Sequence, residues 1–346
     1  MGFRWRAKLG YFALALLVLG ANGCGSFAAR RLAQAPNRYP RWLAPEAPVT
    51  IGFSSKILTA FTNRQIHISA PPARINYRII EPADYHFRWT NRLDEVRGEL
   101  DLQFTADIPA STPATNSAAL ESRGTVVIIH GYGVSGPAML PWAFLLAQEG
   151  WRCVLVDLRG HGESTSERVY FGPQEVRDLV ALFDHLQATG AVIPPLSLVG
   201  HSFGAVVALR WKSLDPRVDR VVAMAPYADL SRAVQNIRRE YARWIPESFI
   251  ESGLKKLPDL LAVEPCEIEP SCWIDRNLSG IFFIAGGADR IATLDQVQSL
   301  FVSSSQRNRM KVIHNAAHET LPFYLDELAS PIAEWLSLDA RTESRQ

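Results

Sequence analysis

Neither sign of charge dominates this chain: 36 Lys and Arg stand against 35 Asp and Glu, a formal charge of +1 at pH 7. That balance gives no electrostatic pull toward nucleic acid, and no basic stripe supplies one locally. The doublets Arg238-Arg239 and Lys255-Lys256 read as solvated helix faces. Internal repeats are absent, so nothing suggests a solenoid. Cysteine is scarce, 4 in 346 residues. No histidine pairs with Cys266 and Cys272 at ligand spacing, so a zinc site is not expected there. The chain also lacks an apolar run near its start of the roughly 20 residues that a membrane-crossing helix needs.

The segment 9–20 is apolar but short, and Arg4, Arg6 and Lys8 precede it. A basic region before a short apolar core is the pattern of an export signal. Ala21-Asn22-Gly23-Cys24 is similar to a bacterial lipobox. That similarity implies removal of residues 1–23 and a lipid on Cys24, which would hold an exported chain at a membrane of the cell envelope. Ala21 and Asn22 depart from the residues usual there, so ordinary cleavage nearby or an uncleaved anchor is the alternative. Cys153 lies in an apolar strand pattern and reads as a core thiol. Cys266 and Cys272 share a Pro-rich loop, where an oxidising compartment would let them form a disulfide. Residues 24–50, rich in Arg, Pro and Ala, read as a linker.

What the chain does contain is a serine set between glycines. Gly200-His201-Ser202-Phe203-Gly204 follows the apolar Leu196-Ser197-Leu198-Val199 and precedes Ala205-Val206-Val207-Ala208-Leu209. A strand entering and a helix leaving put Ser202 on a sharp turn, and small residues two before and two after permit that turn. The helix N-terminus behind it offers N–H groups and a positive dipole end to an oxyanion.

A serine hydroxyl becomes nucleophilic when a histidine takes its proton, and that histidine needs a carboxylate to orient it. Gly286-Gly287-Ala288-Asp289 follows the apolar run 281–285, and Asn315-Ala316-Ala317-His318-Glu319 follows the strand pattern 310–313. Both polar groups lie just past strand ends, on the rim where Ser202 also sits. The expected catalytic set is Ser202, Asp289 and His318. Competing readings make Asp289 a helix cap near Thr293, Asp229 the carboxylate, or His314 or His201 the base. Upstream, the strand pattern 125–129 leads into His130-Gly131-Tyr132-Gly133, whose glycines let N–H groups approach a substrate. The amides of Tyr132 and Phe203 are the expected oxyanion donors.

These motifs, together with Asp157-Leu158-Arg159-Gly160-His161-Gly162-Glu163-Ser164, resemble those of the α/β-hydrolases over about residues 123–337. The order Ser, Asp, His along the chain is also theirs. Within that superfamily the chain is similar to the lysophospholipase and monoacylglycerol-lipase type, often labelled serine aminopeptidase-like. The resemblance implies an α/β-hydrolase fold with a mostly parallel sheet, helices on both faces and a helical lid insertion. It further implies a serine hydrolase that cleaves a small-molecule or lipid carboxylic ester through an acyl-enzyme, without a cofactor. A peptidase or thioesterase on the same triad, and a non-catalytic envelope binding protein, are the other readings, because one scaffold serves many chemistries. Asp157 to Ser164 reads as a structural turn beside the site.

Periodicity places the hydrolase core at 123–340, with strands 125–129, 152–156, 196–200 and 221–225 alternating with helices 139–149, 174–189 and 203–214. From 228 to 277 the alternation stops. Val234, Ile237, Tyr241 and Trp244 share a helical face there, and further apolar residues run from Phe249 to Leu261. This is the expected lid, with an apolar wall for an acyl chain. Residues 51–122 carry irregular strand patterns. Of these, 74–80 and 98–104 are expected as antiparallel strands opening the sheet, and 106–123 as a flexible surface loop.

Overall fold

Runs of apolar residues long enough to be buried on both faces place a sheet at the centre of the molecule. A computed structural model describes residues 2–8, 24–39, 46–94, 99–109 and 122–338. In chain order the strands are β1 (Gly2–Lys8), β2 (Glu46–Ser54), β3 (Arg64–Ile68), β4 (Ala73–Ile80), β5 (Arg88–Asp94), β6 (Glu99–Thr105), β7 (Gly124–Ile129), β8 (Trp151–Val156), β9 (Leu196–His201), β10 (Val218–Met224), β11 (Ile281–Gly286) and β12 (Arg309–Ile313). The helices are α1 (Cys24–Ala33), α2 (Ser55–Ala60), α3 (Leu140–Gln148), α4 (Pro173–Ala188), α5 (Phe203–Leu214), α6 (Leu230–Tyr241), α7 (Glu247–Leu261), α8 (Pro270–Trp273), α9 (Leu294–Ser303) and α10 (Leu325–Ser337).

The main sheet has eight strands in the order β12-β11-β10-β9-β7-β8-β4-β3. From β7 to β12 neighbours run parallel, whereas β4 lies antiparallel to β8 and β3 antiparallel to β4. β7, β9 and β11 are buried along their whole length, as strands covered on both faces must be. Helix α5 packs on β9 and β10, α3 on β8, α9 on β11 and α10 on β10. Trp335 fixes α10: its Nε1–H donates to the Val221 carbonyl at 3.2 Å, and the Arg220 guanidinium lies 4.6 Å from its ring. This is the mostly parallel sheet with helices on both faces that the sequence implies.

β4 opens the main sheet as expected, but β6 does not join it. It lies in a second sheet of four strands, order β1-β2-β6-β5, parallel to β2 and antiparallel to β5. The alternating burial of Leu100, Leu102 and Phe104 shows one face packed. Alternation identifies a buried face without naming the neighbour that buries it. Here the neighbour is aromatic: Phe53 stacks on Phe104 with centroids 4.9 Å apart, and Phe87 and Phe104 lie 5.7 and 6.3 Å from Phe144 of α3.

The stretch 24–50, expected as a linker, is largely built into the fold. Helix α1 lies along α7, so closely that a Cβ on Gly253 would come 2.8 Å from the Cβ of Ala28. Ala28, Ala29, Leu32 and Ala33 are buried. Beyond the helix, the Ala35 amide donates to the Glu167 carbonyl and the Val169 amide to that of Ala33. The small residues that imitate a linker are those that let two helices approach. β1, the basic start of the chain, pairs antiparallel with β2. The apolar part of the expected export signal and most of the loop expected at 106–123 lie outside the described residues.

Between β10 and β11 stands the helical insertion, with α6, α7 and α8. A disulfide joins Cys266 and Cys272 there, and Cys153 is a buried free thiol. Trp244 leaves the face it was expected to share and is 53% exposed, because α6 ends at Tyr241. Among the described residues, no helix is long and apolar enough to cross a membrane.

Candidate active site

Ser202 occupies the turn between β9 and α5 with φ 53° and ψ −118°, a region that side-chain-bearing residues rarely adopt. The glycines around it are sterically required. A Cβ on Gly200 would sit 2.3 Å from the Gly204 carbonyl oxygen, and one on Gly204 would sit 2.4 Å from that of Ile129. The turn is closed by the Ser202 amide donating to Met224 at 2.8 Å. Its serine hydroxyl therefore stands at the end of the sheet with little freedom to move.

His318 meets it there, from the loop after β12. His318 Nε2 lies 2.7 Å from Ser202 Oγ, and His318 Nδ1 lies 2.8 Å from Asp289 Oδ2. With Nδ1–H donating to the carboxylate, Nε2 is left to accept the serine proton. The other oxygen of Asp289 accepts the amides of Ile291 and Ala292 at 2.8 and 2.9 Å, so Asp289 also organises the turn before α9. It does not cap α9, whose N-cap is Thr293. The loops carrying Asp289 and His318 are tied directly: Gly287 N–H donates to the Ile313 carbonyl and Ala288 N–H to that of Ala316. Asp229 lies elsewhere, as the N-cap of α6 accepting the Arg232 amide. His314 is exposed.

His201 is no base for Ser202. Its Nε2–H donates to the His318 carbonyl at 2.9 Å, tying the loop of His318 to the turn of Ser202. Burial, assisted by the neighbouring His318, lowers the His201 pKa to about 3, so this ring stays neutral. Burial also lowers His130 and His161. His318 is the exception. Burial acts to lower it too, but the Asp289 carboxylate, with Glu319, more than offsets that, and its pKa is raised.

The loop from Gly131 to Met139 closes over this group. A Cβ on Gly131 would come 3.2 Å from His201 Nδ1 and 3.5 Å from Ser202 Cβ, which places the Tyr132 segment beside Ser202. Phe203 is the first residue of α5, so its N–H has no acceptor within the helix. The turn 157–164 supports the loop. Asp157 Oδ1 accepts the Gly136 amide at 2.7 Å, its Oδ2 accepts that of Glu163, and His130 Nε2 accepts the Leu158 amide at 3.0 Å. Below it, Arg159 and Asp178 form a buried two-point ion pair.

Above Ser202 and His318 lies a cleft of ≈ 460 Å³, its open mouth included. Val49, Val134, Ala138, Met139, Pro322 and Phe323 make it apolar, and Glu319 is its one carboxylate. The wall is not the expected one, since none of these residues belongs to 228–277. The apolar side chains of the insertion turn elsewhere: Ile250, Leu257 and Leu261 are buried, and Phe249 meets Phe27 of α1 edge-on at 6.4 Å. The insertion reaches the cleft through the Tyr241 hydroxyl donating to the Glu319 carboxylate, and the Asp289 turn through Asn236 Nδ2–H donating to the Ile291 carbonyl at 2.9 Å. Sequence reasoning missed Val49 and Glu319 as lining residues, which no local signal marks, and it placed Tyr241 on the apolar face of the insertion without its partner Glu319. Among the described residues, no group of three His, Cys, Asp or Glu could hold a metal ion.

Residues 120–270 match the family model described as serine aminopeptidase, S33. No curated protein matches the chain. Among solved structures it is similar to the Pf2001 esterase of Pyrococcus furiosus, at 21% identity and a TM-score of 0.56 over 82% of this chain and 93% of that one. A hydrolase from Pseudomonas aeruginosa shares 15% identity at a TM-score of 0.51, over 80% and 99% of the two chains. The α/β hydrolase GrgF from Penicillium shares 12% identity at 0.53, over 80% and 97%. At these identities the likeness is one of fold.

Proposed function

We propose that this chain, an α/β-hydrolase by fold, is a serine hydrolase that cleaves carboxylic esters through an acyl-enzyme. The observation that carries the reading is the unbroken line from Asp289 through His318 to Ser202, with contacts of 2.8 and 2.7 Å, opening into an apolar cleft. Ser202 Oγ attacks the ester carbonyl as His318 Nε2 takes its proton. The tetrahedral oxyanion is held by the amides of Tyr132 and Phe203. His318 then returns the proton to the departing alcohol, and water repeats the sequence to release the acid. An ester suits the cleft better than a peptide terminus. Most of the lining is hydrocarbon, thioether or aromatic, which suits an apolar acyl group and offers a charged peptide terminus little beyond the remaining acceptor sites of Glu319. Ser202→Ala should abolish hydrolysis of a p-nitrophenyl ester and labelling by a fluorophosphonate, with the circular dichroism spectrum kept. Undiminished turnover in that variant would remove the nucleophile from the proposal.

The same proposal includes export and a lipid on Cys24. The basic and apolar start of the chain, the residues around Cys24 and the Cys266–Cys272 disulfide support it, since disulfides persist in oxidising compartments. Cys24 is the first residue of α1. A lipid at that point would hold the catalytic domain next to the membrane with no free linker between them.

A further inference from the structure

The loops that follow the main-sheet strands supply most of the cleft: Ser202 and His201 from the elbow, Gly131 to Met139 from the loop after β7, and His318 to Phe323 from the loop after β12. One lining residue has a different origin. Val49 belongs to β2, in the second sheet. From this we infer that Val49 is a specificity-determining residue, a rigid wall from the second sheet that sets the size of the apolar group the cleft accepts. The inference rests on the serine-esterase reading of the same site.

Three observations support it. Val49 lines the cleft and is only 1% exposed, so its side chain is packed on its remaining sides. Its position is over-determined. It pairs in parallel register with Leu100, and Phe53 further along β2 stacks on Phe104, which in turn meets Phe144 of α3. Helix α3 begins at Leu140, directly after the lining residue Met139, so the wall and the loop beside the nucleophile lean on one helix. Valine is branched at Cβ and stiff about χ1, so this wall does not swing aside as the unbranched Met139 can. The chemistry of the occupant follows from the neighbours. Away from Ser202, His318, His201, Glu319 and the Tyr132 hydroxyl, the lining side chains are hydrocarbon, thioether or aromatic, and a polar group set among them would lie unpaired. The substrate part that meets Val49 is therefore apolar and of limited length.

The test compares p-nitrophenyl acetate, butyrate and octanoate on the full chain, with rates expressed per serine labelled by a fluorophosphonate. Val49→Ala should raise the octanoate-to-acetate ratio of kcat/KM about tenfold, and Val49→Phe should lower it by a similar factor, the scale set by one or two methylenes in a hydrophobic pocket. Val49→Ile should fall between wild type and Val49→Phe, and it serves where the phenylalanine variant does not fold. Val302→Ala, a change at an exposed position on α9, provides the control. Ratios that stay at the wild-type value in folded, labelled Val49→Ala and Val49→Ile proteins overturn the inference and leave the esterase reading standing. Wild-type protein that neither labels nor hydrolyses any of the three esters overturns that reading, and the inference with it.

Discussion

The two oxygens of Asp289 divide their work: Oδ1 accepts the amides of Ile291 and Ala292, and Oδ2 accepts a hydrogen bond from His318 Nδ1–H. Asparagine at this position can still accept the amides through its carbonyl, but its NH₂ group would face Nδ1 and force the other tautomer. The rate of Asp289→Asn should fall by about 10⁴-fold. A second signature separates acid from scaffold. His318 must be unprotonated at Nε2 to act as base, and its raised pKa sets the pH below which kcat/KM declines. Removing the carboxylate removes the main influence raising it, so the acid limb of the profile should move to lower pH. Asp229→Asn should leave that limb in place, because Asp229 caps α6. A pH–rate profile that shifts in the Asp229 variant and not in the Asp289 variant would reverse the assignment. Both carboxylates were visible in the sequence as strand-end residues. Which one faces His318 depends on the contact between the loops after β11 and β12.

Among the elements, α1 shows how composition misleads. A stretch rich in Arg, Pro and Ala resembles a linker, yet Gly25, Ala28 and Gly253 are the small residues that two close helices need. The same helix carries the anchor proposal, since Cys24 opens it. Cys24→Ser should shift the chain from the membrane fraction to the soluble fraction while its thermal midpoint stays unchanged. A variant that remains with the membrane would refute lipidation at this residue. The elbow is the opposite case. β9, Ser202 and α5 were legible to within a residue, because a steric requirement for glycine on both sides of a positive-φ serine is written in five consecutive positions.

In the molecule as a whole, the second sheet and the hydrolase core act as one body through Phe53, Phe87, Phe104 and Phe144. Phe104→Ala empties the middle of that group and should destabilise the protein by about 3–5 kcal/mol in urea denaturation. Ester turnover should fall as well, because α3 carries both the aromatic contact and the end of the loop beside Ser202. Loss of less than about 1 kcal/mol would mean that the second sheet is only loosely attached.

Residue order alone determined the alternating strands and helices of the core, the strained serine turn and the identity of the acid and base candidates. Each of these is imposed by a periodicity or a steric demand within a few neighbouring residues. The tertiary structure decided the matters that join distant segments: β6 in a separate sheet, α1 against α7, Asp289 rather than Asp229 beside His318, and Val49 rather than the helical insertion along the cleft. A residue's pattern reveals that a face must be buried. The surface that buries it is fixed by the competition of every other face in the chain, and that competition is settled only in three dimensions.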